Sequence, residues 1–177
     1  MTAIDPPFTA FRFDVVLDLD TETADLAGPL CDAAFAECDG LEMTMQPRTL
    51  AVGGMNDRQI HLIGPVTYGQ LTLKRGMTDN LQLWRWFTLG TRPGSVLTAH
   101  GHVTMRAADG TPALRFTLTG CLPVRMRAPG LNARDGLVAV EELGLVYERL
   151  DIGLPDDPGP GTAPAGPATV SVGGGAG

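Results

Sequence analysis

Serine is nearly missing from this chain of 177 residues: Ser95 and Ser171 are the only two. Ser171 falls in a Pro/Gly/Ala-rich stretch, and Ser95 sits in a Pro-Gly turn without the strand-to-helix setting of a nucleophile elbow, so a serine hydrolase is disfavoured. Cysteine is sparse and odd in number: Cys31, Cys38 and Cys121, with no Cys-x-x-Cys spacing, read as free, mostly buried thiols in a reducing compartment. No apolar run approaches the ~18 residues that a membrane-spanning helix needs, so no membrane anchoring is expected. The opening Met-Thr-Ala-Ile-Asp-Pro-Pro lacks the basic and apolar regions of a secretory signal, and synthesis in the cytoplasm is expected. Positive charge is in deficit: 13 Lys and Arg stand against 20 Asp and Glu, a formal net charge of −7. Such a balance argues against binding nucleic acid or anionic membranes, both of which ask for a cationic surface.

The usual signatures of chemistry are also lacking. Gly53-Gly54 and Leu73-Lys74-Arg75-Gly76 do not complete a Gly-x-x-x-x-Gly-Lys-Ser/Thr phosphate loop. His100 and His102 share a strand face and with His61 could ligate a transition metal, but no acid or thiol is spaced to complete the set. Glu141 and Glu142 are neighbours on a strand, point to opposite faces and cannot flank one substrate. No cofactor and no metal are expected, and with no convergent catalytic set an enzyme is not expected either.

What is present is an ordinary globular balance, 44% hydrophobic and 19% charged, arranged mainly with the period of strands. In 11–20 Phe11, Phe13, Val15, Leu17 and Leu19 oppose Arg12, Asp14, Asp18 and Asp20. Leu41, Met43 and Met45 alternate with Glu42, Thr44 and Gln46, and Leu71 and Leu73 point inward from 70–75. Across 97–106 Leu97, Ala99, Val103 and Met105 oppose Thr98, His100, His102, Thr104 and Arg106; an Asp109-Gly110 turn follows, and Leu114, Phe116 and Leu118 alternate with Arg115, Thr117 and Thr119. A last strand is read over 138–150. Residues 1–154 are read as one domain and 155–177, rich in Pro, Gly and Ala, as a flexible tail.

One helix is expected after Thr78 as N-cap, with Asp79 in its first turn, ending at Gly90. At 100° per residue Trp86, Leu83, Phe87, Trp84 and Leu81 spread over about 220°, with Gln82 and Arg85 as the polar strip. That is more apolar surface than one sheet covers. Trp84 is read as core, and Trp86 with Leu83 as packing against a second sheet or a neighbouring subunit. Strands with one wet and one apolar face make a sheet whose open edges invite pairing, and closure around a ring of copies would remove them.

Three segments, added to the start, resemble the tail-tube proteins of contractile phage tails and related injection systems. They are QLTLKRGMTDNLQLWRWF at 70–87, FTLTGCLPVRMRAPGLNAR at 116–134 and VAVEELGLVYERL at 138–150, and the match in order covers about 10–152. Val146-Tyr147-Glu148-Arg149-Leu150 stands where Ala-His-Glu-Gly-Leu is commoner. The resemblance implies two packed antiparallel β-sheets with one α-helix, sandwich- or barrel-like and similar to the Hcp-type tube protein of the type VI secretion system. It further implies homo-hexameric rings, each contributing to a ring-shaped β-barrel, stacked inside a contractile sheath. Sheath, baseplate or spike, and tube-terminator proteins would be partners, effector cargo would occupy the lumen, and the particle would be a virion tail or an injection system able to leave the cell. On that basis Thr98, His100, His102, Thr104, Arg115, Thr117 and Thr119 are expected to line the lumen. Loop 47–58, with Gly53, Gly54, Asn56, Asp57 and Arg58, is expected to reach an adjacent ring. A tube-initiator paralogue nearer the baseplate and a stand-alone small β-barrel binding module are the alternatives.

Overall fold

The computed structural model describes residues 12–21, 23, 25–26, 28–33, 35–50, 59–131 and 138–155. In chain order the strands are β1 (Phe13–Leu19), β2 (Cys31–Ala33), β3 (Glu37–Asp39), β4 (Met43–Met45), β5 (Arg48–Leu50), β6 (Ile60–Leu62), β7 (Val66–Tyr68) and β8 (Leu71–Gly76). The helix α1 (Gln82–Gly90) follows, then β9 (Ala99–Arg106), β10 (Pro112–Arg127), β11 (Val140–Val146) and β12 (Arg149–Gly153).

Two antiparallel sheets share one strand. The first runs β2-β1-β9-β10-β12; the second runs β10-β11-β8-β3. The sixteen residues of β10 serve both, pairing with β9 and β12 in their first part and with β11 in their last. The strand turns the corner at Gly120, whose φ of +65° suits a residue without Cβ. A Cβ there would lie 2.7 Å from the side chain of Glu148, which stands in the two-residue link between β11 and β12. The Glu148 N–H donates to the Thr119 carbonyl at 3.0 Å and holds the two bends together.

Alternation puts one face of each sheet into a common core. Val15, Leu17, Val103 and Leu118 of the first sheet belong to one buried cluster with Leu71, Leu73, Leu143 and Leu145 of the second. The helix adds Leu83, Trp86 and Leu89, an i, i+3, i+6 stripe. Of the two readings of Trp86 and Leu83, packing within the subunit holds and packing against a neighbour does not, while Trp84 is less buried than a core residue. Trp86 is 0% exposed and its indole N–H donates to the Leu97 carbonyl at 2.9 Å, so Trp86 and Leu83 fill this subunit's own core and offer a neighbour nothing. Burying one such indole contributes about 5 kcal/mol at ~25 cal/mol per Å². Trp84 lies on the flank, half-buried.

The helix also begins later than expected. Thr78 Oγ1 accepts from the Asn80 N–H (3.3 Å) and Asn80 Oδ1 accepts from the Gln82 N–H (3.0 Å), so two short polar side chains shape the approach. Asp79 falls before the first helical turn, which holds no acidic residue. The Asp109-Gly110 hairpin is present: Gly110 has φ +88°, and Asp109 accepts from the hydroxyl and the N–H of Thr111, which hold its carboxyl below the ordinary range. Among the described residues neither sheet closes into a barrel. Most of the 155–177 tail, Phe11 and the Asn132–Arg134 part of the family-like loop lie outside the described residues.

Candidate assembly interface

The outer face of the first sheet is built in rows across the strands. Asp14, Thr104 and Arg115 stand in one register row, and Val16, His102, Thr117 and Asp151 in another. Asp18 pairs with His100, and Thr119 with Arg149. The alternation read from the sequence therefore brings six of the seven wall candidates, all but Thr98, onto one sheet face. Thr98 precedes β9, half-buried, with its carbonyl accepting from the Asp20 N–H at 3.0 Å. Thr104 is a correction: at 6% exposed, flanked by Asp14 and Arg115, it adds no hydroxyl to the surface. Charges on this face are largely paired within the chain. Arg106 pairs with Asp14, His100 Nδ1 lies 2.7 Å from Asp20, and Arg149 meets Asp151 through two contacts of 2.7 and 3.1 Å.

The segment between β3 and β8 leaves the body as a ribbon. β4 pairs with β7 and β5 with β6, with residues 46–47 and 63–65 as the break between the two pairs. Residues 48–50, expected in a loop, are therefore strand, whereas Gly53, Gly54, Asn56, Asp57 and Arg58 lie outside the described residues. Met43 and Met45, on the apolar side of an alternating run, are exposed, as are Leu50, Ile60, Leu62 and Val66, and Ile63 is 85% exposed. A ribbon of two strands has no second layer to bury these groups.

Two polar clusters brace the body. Arg75 on β8 and Glu141 on β11 form a buried pair at 2.5 Å. Trp84 Nε1 donates to the second carboxylate oxygen at 2.7 Å, and Arg75 also donates to the Asn80 carbonyl at 3.1 Å. Both sheet and helix start are tied to one carboxylate. At the ribbon's root, buried Tyr147 places its hydroxyl 2.9 Å from the Gly40 carbonyl and 3.1 Å from both the carbonyl and the N–H of Glu42. Its ring lies 5.6 Å from that of Tyr68.

Burial pushes the Cys121 thiol up to about 12, and burial with the neighbouring Asp39 charge raises Cys38 to about 11, so neither is an activated nucleophile. Among the described residues no three His, Cys, Asp or Glu side chains gather to hold a metal. An open groove of about 430 Å³ lies between α1 and β10, lined by Phe87, Val96, Leu97, Leu122, Pro123 and Val124; another, of about 420 Å³, runs past Trp84, Arg85 and Asp25. Both are surface features, not the enclosed cavity that a binding barrel would need. Sequence reasoning passed over Tyr147 and the exposed apolar positions of β6 and β7. Their available signal was the apolar Ile60, Leu62 and Val66 around the break at Gly64-Pro65; in the ribbon Val66 pairs with Met45 and Ile60 with Leu50.

A family model described as T4-like virus tail tube protein gp19 matches residues 9–151. No curated protein matches the sequence. A chain in the structure of the anti-feeding prophage baseplate, 6-fold symmetrised, is 27% identical, with a TM-score of 0.72 over 85% of this chain and 97% of that one. A chain of the anti-feeding prophage tube-terminating cap aligns at 17% identity and TM-score 0.69, over 87% and 95%. One from the PVC sheath–tube complex of an extracellular contractile injection system aligns at 18% and 0.67, over 86% and 95%. These last two show likeness of fold.

Proposed function

The chain belongs to the tail tube protein family of T4-like viruses, and from that premise we propose that it is a structural subunit of the inner tube of a contractile phage tail or phage-tail-like injection system. The observation that carries the reading is a family match over nearly the whole fold, joined to a sheet left open, among the described residues, at β2 and β12. Unpaired strand edges at both ends of one sheet suit lateral joining of like copies. The 6-fold symmetry of the baseplate assembly that holds the 27% identical chain supports hexameric rings.

In this reading the face of His100, His102, Arg115, Thr117 and Thr119 lines the bore, where effector cargo travels. The apolar ribbon with the 51–58 segment contacts the next ring. Sheath, baseplate and terminator proteins are the further partners, and the chain acts as a building unit rather than an enzyme. Residues 1–154 are the tube domain and 155–177 an appended tail. The particle assembles in the cytoplasm before any release.

One observation favours a second reading within the family: the 27% identical chain comes from a baseplate structure. That position fits a tube initiator. Size-exclusion chromatography with light scattering, followed by negative-stain microscopy of the full chain, tests the proposal. Rings and stacked tubes are expected for the main tube subunit, and single rings for the initiator. Protein that stays single at every concentration overturns both.

A further inference from the structure

We propose that Tyr147 is a positioning residue for assembly, whose hydroxyl fixes the direction in which the apolar ribbon leaves the body. The inference rests on the reading that the ribbon contacts another ring.

The ribbon is held at its root and nowhere else in its described part. Its remaining polar contacts are internal: Thr44 to Glu42, Thr67 to the Thr44 carbonyl, Thr49 to His61 and the Gln46 N–H to the Pro65 carbonyl. An isolated two-stranded ribbon has little stiffness of its own, so its angle is decided where it joins the sheets.

At that joint Tyr147 meets both strands. Its hydroxyl accepts from the Glu42 N–H and has one hydrogen to donate, with the Gly40 and Glu42 carbonyls both in reach. The Glu42 carbonyl also accepts from the Gly69 N–H at 3.0 Å, so the returning strand is tied to the same point. The Tyr147 ring stacks at a 52° tilt against Tyr68, the last residue of β7. Gly40, at φ +98°, lets the outgoing chain pass so close to Gln70 that a Cβ would sit 2.0 Å from its carbonyl oxygen. The phenol therefore caps a crossing with no slack, from a position in the link between β11 and β12.

The Tyr147→Phe variant of the full chain removes the one oxygen and keeps the ring. Exchange of the Glu42 amide should rise about tenfold, the consequence of losing a part-buried hydrogen bond. The protein concentration needed for tubes, measured by sedimentation and microscopy, should rise by a similar factor while the thermal midpoint shifts by a few degrees at most. A merely structural Tyr147 would lower the midpoint and leave the assembly threshold of the folded protein where it was, which overturns the proposal. Unchanged Glu42 exchange overturns it as well. If the parent chain makes rings that never stack, the ribbon's assembly role fails and this proposal with it. Faster Glu42 exchange in the variant would then mark the hydroxyl as a local brace alone.

Discussion

Glu141 carries more of the subunit's internal order than its neighbour suggests. Its parity on the strand was legible: Glu141 is buried and Glu142 half-buried near Arg125, on opposite faces. Its partners were not legible, because Arg75 and Trp84 are 66 and 57 residues away in sequence and only the pairing of β8 with β11 brings them together. Glu141→Leu leaves the Arg75 guanidinium buried without its counter-charge and the Trp84 N–H without an acceptor. We expect a loss of about 3–5 kcal/mol in urea unfolding, most of it recovered when Arg75→Met is added. A full loss persisting in the double variant would show that the ion pair is not the cause. The tryptophans teach a related lesson. The wheel placed both within one wide arc, and Leu89, left out of that arc, is what fixes the buried stripe at 83, 86 and 89.

Among elements, the strands were easier to read than their surroundings. Period two assigns residues to a face but does not say what that face meets. Leu71 and Leu73 meet the core, whereas Met43 and Met45, equally regular, point to solvent on the ribbon. The ribbon's apolar groups are thus unoccupied in the single subunit, and changing one should leave its fold intact. Ile63→Asp is expected to shift the thermal midpoint by less than about 2 °C, since an exposed site contributes within ~0.5 kcal/mol. It should nevertheless abolish stacked tubes in negative stain while rings persist. Tubes of normal length from this variant would remove the ribbon from the interface.

For the whole molecule, the fold class, the helix and the existence of open sheet edges were legible from pattern and resemblance; which strands stand at those edges was not. A sequence carries no direct mark of which strands remain unpaired. Net charge, in contrast, passes unaltered from composition to assembly. At −7 each, six copies in the proposed ring would carry −42, and on the outer face of the first sheet Asp14 is paired with Arg106 and Arg149 with Asp151. Self-repulsion of that size is screened over ~30 Å at 0.01 M salt and ~10 Å at 0.1 M. The concentration needed to assemble should therefore fall as salt rises through this range, followed by sedimentation, and a rise would mean that attractive ion pairs dominate the contacts. Last comes the strand that turns at Gly120 and enters both layers. Layers joined by one unbroken backbone and a common core resist sliding past one another. In the proposed tube such a piece would pass thrust along as a bead does, and the energy of a stroke would be stored in whatever grips it from outside.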